Sequence, residues 1–107
     1  MLETIQGERG VMMSSEAYIQ KVRDLCSEYK VLMIADEVQT GLGRTGKMLG
    51  VEHAGVRPDI LMLGKALSGG VYPVSAVLAD DEVKYCWEWL DGFLSGFMVI
   101  IHQENIM

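Results

Sequence analysis

Two short apolar runs, each stopped by a charged residue among glycines, constrain this chain more than any other feature. Val31-Leu-Met-Ile-Ala35 stops at Asp36, and Ile60-Leu-Met-Leu63 stops at Gly64-Lys65. Neither run alternates polar with apolar residues. Runs of this length and pattern predict strands covered on both faces, as in a parallel sheet. A third run, Val74-Ser-Ala-Val-Leu78, predicts another strand beside them. Residues 15–29 predict a helix: Ser14 or Ser15 offers a capping hydroxyl, and Tyr18, Ile19, Val22, Leu25, Cys26 and Tyr29 recur at three- and four-residue steps. Asp80, Asp81 and Glu82 predict the acidic first turn of a second helix running to Leu90. Glycines at 41, 43, 46 and 50 mark the stretch between the first two strands as loop. Strand, helix and strand in this order give an α/β class.

The 107 residues allow one small domain. Half are hydrophobic and 22% are charged, the balance of a folded chain. Nine Lys and Arg against fifteen Asp and Glu leave a net charge of −6, which argues against general nucleic-acid binding. No apolar run reaches the roughly 18 residues of a membrane span. The opening Met-Leu-Glu-Thr shows no basic stretch followed by an apolar one, so no signal peptide is expected. Cys26 and Cys86 stand far apart, without the spacing of a metal site, and are expected to be free thiols. Met12, Met13, Met33, Met48 and Met62 are expected to fill the core.

Composition shifts near residue 84. Both Trp and both Phe lie beyond it, and no Lys or Arg follows Asp91. The apolar run 93–101 either docks on the body as a short edge strand or helix, or exposes an interface.

Chemistry in open α/β sheets lies beyond the carboxyl ends of the strands, where Asp36 and Lys65 fall. The two could form an ion pair. An amine among apolar neighbours can instead act as a nucleophile, and the glycines around it leave room for a bulky group to approach. A phosphate loop is excluded on spacing, because Ala66 follows Lys65 and no Gly stands five before Gly64.

Three separated segments carry a resemblance. Ile34-Ala-Asp-Glu-Val-Gln-Thr-Gly-Leu-Gly-Arg-Thr-Gly46, Arg57-Pro-Asp-Ile60 and Leu63-Gly-Lys-Ala-Leu-Ser-Gly-Gly-Val-Tyr-Pro-Val-Ser-Ala-Val77, preceded by Ile5-Gln-Gly-Glu8, resemble the class III pyridoxal-phosphate aminotransferases. The ornithine aminotransferases are the most similar branch. The resemblance implies a fragment of the fold-type I large domain, a mostly parallel sheet with flanking helices. It implies that Lys65 forms the Schiff base with pyridoxal 5'-phosphate and then moves the substrate Cα proton. It also implies that Asp36 pairs with the pyridine nitrogen, Val38 packs on one ring face and Gln39 hydrogen-bonds the phenolic oxygen. Glu8 matches an acidic residue that pairs with an arginine and switches between substrates, and Glu3 matches a second active-site glutamate. Thr4 stands where the family commonly has proline, and Arg9 where it has a small residue.

The implied activity converts ornithine and 2-oxoglutarate to glutamate-5-semialdehyde and glutamate. Other ω-amino-acid donors, acetylornithine or 4-aminobutyrate, are the alternative within the class. The implied partners are amino-acid and 2-oxo-acid substrates and further subunits of a homo-oligomer, with no nucleic acid, membrane or metal. The implied compartment is the mitochondrial matrix, with the cytoplasm as the alternative. The resemblance covers residues 3–83, so residues 1–83 are expected to be part of the cofactor-binding domain and 84–107 a divergent tail. On that division the chain is a truncated product, and a non-catalytic remnant is the reading opposed to an enzyme.

Overall fold

The structure, a computed structural model, describes residues 1–84 and 98–102. Its centre is a five-stranded mixed sheet in the order β1 (Leu2–Glu3), β4 (Ile34–Asp36), β5 (Ile60–Leu63), β6 (Ser75–Ala79), β7 (Met98–His102). The pairs β1–β4, β4–β5 and β6–β7 are parallel, and β5–β6 is antiparallel. The three expected strands are therefore neighbours. A small hairpin, β2 (Ile5–Gln6) with β3 (Met12–Met13), stands apart from this sheet.

The helix α1 (Glu16–Glu28) starts as the sequence predicts. Ser15 Oγ accepts from the Tyr18 N–H at 3.2 Å, and Glu16 occupies the favourable acidic first turn. Its contribution to the core is narrower than its periodicity suggests. Ile19 is buried, and Val22 and Cys26 pack half-buried on the core, whereas Tyr18, Leu25 and Tyr29 are exposed.

The first strand begins three residues later than expected, at Ile34. Tyr29 caps the helix and Lys30 has φ +54°, so the chain needs 31–33 to cross from helix layer to sheet. Val31 and Leu32 lie exposed on that crossing. Asp59 ties the crossing down: its carboxylate accepts from the Met33 N–H at 2.6 Å and from Arg23 at 2.8 Å.

Among the described residues, the two faces of the sheet are covered unequally. Met33, Ala35, Leu61, Leu63, Ala76 and Leu78 form the main core with Ile19, Leu49, Val51, Ala54 and Val56. On the other face Ile60, Val77 and Ala79 form a small cluster, with Ile34, Met62 and Val83 half-buried around it. The strict alternation along β5 and β6 follows from the two-residue repeat of a strand.

The methionines divide. Met33 is buried and Met62 half-buried, but Met12, Met13 and Met48 are 55%, 76% and 56% exposed, contrary to the expectation of core filling. Two of the three, Met12 and Met13, form strand β3 of the hairpin. Cys26 is a free thiol, and Cys86 lies outside the described residues. The second helix is described from Asp81 to Lys84, and its expected continuation to Leu90 lies outside them, as do residues 93–97 of the apolar run. The end of that run is strand β7 on the sheet edge.

Candidate active site

The register of the sheet places two of the sequence-predicted residues, Glu3 and Asp36, side by side at one end. Glu3 pairs with Asp36, and Asp36 with Met62, in a single row across β1, β4 and β5. Lys65 stands three residues past Met62, in the connection from β5 to β6. Because β4 and β5 are parallel, Asp36 and Lys65 lie at the same carboxyl edge. They form no ion pair with each other, so that reading of the two residues falls.

Asp36 is half-buried and belongs to the thinly covered face, in phase with Ile34. Its Oδ1 accepts from the Val38 N–H at 3.1 Å, which turns the chain immediately after the strand. Val38 then enters a groove of about 520 Å³ lined by Gly64, Lys65, Ser68, Pro73, Val74 and Ser75. A Cβ on Gly64 would come within 3.2 Å of Val38 Cγ1, so a side chain there would crowd the groove floor. Lys65 is exposed at its rim with φ +42°, a left-handed conformation that costs a non-glycine residue about 1–2 kcal/mol. Strain of this kind persists where the surrounding structure imposes it and gathers at functional sites. Gly69 and Gly70, both at positive φ, complete the turn.

Gln39 and Glu8 meet directly: Gln39 Nε2 donates to Glu8 Oε1 at 3.1 Å. This bond joins the tip of the β2–β3 hairpin to the end of β4. It also explains Gly7, where an added Cβ would fall 2.2 Å from Gln39 Oε1. Glu8 and Arg9 are exposed, and Glu3 is half-buried.

One functional neighbour escaped the sequence reading. Glu37, between Asp36 and Val38, is 1% exposed, and its carboxylate accepts from Thr40 Oγ1, from the Gly50 N–H at 3.0 Å and from the Val51 N–H at 2.8 Å. The available signal was the two-residue repeat: if Asp36 faces the site, the next side chain faces the core.

Other charged residues are structural. Arg57 makes a bidentate pair with Asp80 at 2.6 and 2.9 Å, and that bond raises its already high pKa. His53 is exposed, with Nε2 3.1 Å from both Thr45 O and Thr45 Oγ1. A second cavity, about 340 Å³, lies between α1 and the loop after β4, lined in part by Thr4, Ser14, Arg44 and His53. It holds none of the strand-end residues, so its better enclosure does not make it the site. No cluster of described residues could hold a metal ion, and no described helix could cross a membrane.

The α/β sheet is a fragment of the fold of the pyridoxal-phosphate-dependent aminotransferases, as the comparisons with known proteins show. The model of the aminotransferase class III family matches residues 1–96, and the chain belongs to that family. Over 86 residues it is 65% identical to the mitochondrial ornithine aminotransferase of Drosophila melanogaster, a match covering 80% of this chain and 20% of that one. The solved ornithine aminotransferase of Plasmodium yoelii superposes with a TM-score of 0.77 at 61% identity, covering 78% of this chain and 23% of that one. The acetylornithine aminotransferase of Elizabethkingia anophelis superposes with a TM-score of 0.74 at 51% identity, covering 88% and 22%. A structure of the Toxoplasma gondii ornithine aminotransferase, described as having partial occupancy of PLP at the active site, gives 0.78 at 48% identity, covering 80% and 20%. The chain thus spans about one fifth of the length of these relatives.

Proposed function

We propose that these residues form the cofactor-binding core of an ornithine aminotransferase that converts ornithine and 2-oxoglutarate to glutamate-5-semialdehyde and glutamate. The observation that carries the reading is the shared carboxyl edge of β4 and β5, with Asp36 at one strand end and Lys65 just past the other. The groove beside Lys65, floored by Val38 and Gly64, has room for a flat ring. The residues present fit pyridoxal 5'-phosphate.

Lys65 would hold the cofactor covalently, Asp36 would face its ring nitrogen, Val38 one ring face and Gln39 the phenolic oxygen. When bound, the cofactor supplies a sink for the electron pair left as the substrate Cα–H bond breaks. Asp36 would hold a proton on the ring nitrogen. Lys65 would also serve as the base that moves the substrate Cα proton. Gln39 has two amide protons; Glu8 accepts one, which leaves the other for the phenolic oxygen. Glu8 and Glu3 are the acidic groups on the substrate side.

The reading extends to the remaining features. Residues 1–83 belong to the cofactor-binding domain and 84–107 to a divergent tail. Subunits associate as a homo-oligomer, in the mitochondrial matrix, as the name of the Drosophila relative suggests. The 107 residues on their own are inactive, since a fifth of the relatives' length carries few groups to hold the cofactor phosphate, each worth about 1.5–3 kcal/mol. Acetylornithine as donor is the second reading, since the chain is 51% identical to the acetylornithine aminotransferase of Elizabethkingia anophelis over the matched residues.

The test is borohydride reduction with pyridoxal phosphate, mass mapping of the adduct, and donor competition. The expected result is an adduct on Lys65, kept in Asp36→Asn, and preference for ornithine over N-acetylornithine and 4-aminobutyrate in protein of the relatives' full length. Turnover by the isolated chain above a Lys65→Ala control would overturn the inactivity. An adduct on Lys21, Lys30, Lys47 or Lys84 would overturn the site.

A further inference from the structure

Among the described residues, Glu37 is the one buried carboxylate, and the proposed chemistry leaves it without a task. A buried charge is costly unless its lone pairs are filled, and here three donors fill them: Thr40 Oγ1, the Gly50 N–H and the Val51 N–H. The backbone of the same residue is tied as well. Its N–H donates to Met62 O at 2.9 Å, across to β5, and its carbonyl accepts from the Gly41 N–H at 2.9 Å. Five hydrogen bonds on one residue thus join the end of β4 to β5, to the turn at 40–41 and to the 3₁₀ turn Gly50–His53. The space around the carboxylate is also closed: a Cβ on Gly50 would lie 3.1 Å from Glu37 Oε2 and 2.5 Å from Thr4 Oγ1.

The residues on either side of this clamp are those assigned to the cofactor. Asp36 precedes it, and Val38 and Gln39 follow it. Asp36 Oδ1 reaches the Val38 N–H across it, and Gln39 leaves it to meet Glu8. We infer that Glu37 is a positioning residue: its buried carboxylate clamps the turn after β4 from below, so that Asp36, Val38 and Gln39 present a fixed face to the ring. This rests on the cofactor reading proposed above. An ordinary core residue at 37 could fill the volume but could not bind the 50–51 backbone and Thr40 together.

The test uses the 107-residue chain with ¹⁵N-labelled glutamine side chains. It compares Glu37→Gln, Thr40→Val and, as a control, Ile19→Ala, which weakens the core on the helix layer. Two signals are read: the Gln39 side-chain amide resonances without cofactor, and the rate of borohydride-trapped adduct formation at Lys65. In Glu37→Gln the amide resonances should move towards those of a free glutamine, and trapping should slow at least tenfold. Thr40→Val should shift both in the same direction by less. Ile19→Ala should lower the melting temperature and leave both signals in place. If Glu37→Gln does not fold, Thr40→Val decides. Variants that melt lower yet keep the parent Gln39 resonances and trapping rate would overturn the inference. Should the unaltered chain trap nothing at Lys65, it is the cofactor reading that fails, and the Gln39 resonances alone decide the role of Glu37.

Discussion

Asp36 and Glu37 are chemically near-identical neighbours, and the sheet gives them opposite surroundings. Glu37 points into the main core, 1% exposed, with three donors on its carboxylate. Asp36 lies on the thinly covered face, half-buried, with one backbone N–H on one oxygen. The same division runs along β5: Leu61 and Leu63 go to the large cluster, Ile60 and Met62 to the small one. One face has its polar groups satisfied and its volume filled. The other keeps the second oxygen of Asp36 available as an acceptor. Stability and chemistry are thereby separated by the pleat of three short strands.

The comparison breaks most readily at Lys65. Lys65→Gly should abolish the reducible cofactor adduct, while relieving the φ +42° conformation and raising stability by about 1 kcal/mol. Mass mapping after borohydride treatment, with a urea titration on the same sample, reads both. Loss of stability instead would mean that the lysine side chain holds its own turn together.

Truncations on the two faces should differ next. Leu61→Ala, at a site 1% exposed in the main cluster, should cost about 2–5 kcal/mol. Met62→Ala, half-buried on the other face, should cost clearly less. Equal urea midpoints for the two variants would show that the faces are equally packed. Gly7→Ala should disturb the site face alone. Its Cβ would displace Gln39 and break the bond to Glu8, which the Gln39 amide resonances report, with a stability loss within about 1 kcal/mol because that bond is exposed.

The smallest effect is at the surface. Arg57 and Asp80 are 49% and 41% exposed, so Asp80→Asn should cost at most about 1 kcal/mol. The pKa of Arg57 is raised in the folded chain by its bond to Asp80. Its stabilisation is therefore complete below the ordinary arginine value and lost only as pH rises beyond it. The difference between parent and Arg57→Gln should stay flat from pH 6 to 10 in thermal melts. A difference that shrinks across that range would assign the stabilisation to another group.

Much of this was legible in the chain. Apolar runs placed β4, β5 and β6, the first two without polar alternation, a pattern that needs cover on both sides. The abrupt stops at Asp36 and Lys65 marked the strand ends, and Ser15 marked the start of α1. The hairpin β2–β3 was not legible: it has two-residue strands, and Met12 and Met13 look like core residues in any sequence window. The antiparallel turn of β6 was also hidden, since the residues of a strand do not state its direction.

What the sequence determined by itself is the succession of α1, β4, β5 and β6, and which residues carry reactive groups, because these depend on local pattern and side-chain chemistry. The tertiary structure decided which groups meet. Parallel pairing of β4 with β5 put Asp36 and Lys65 at one edge, and the pleat sent Glu37 down and Asp36 up. Closure of the hairpin brought Glu8 to Gln39 across 31 positions. These outcomes rest on contacts between segments distant along the chain, and the free energy of such contacts exists only once the sheet has formed.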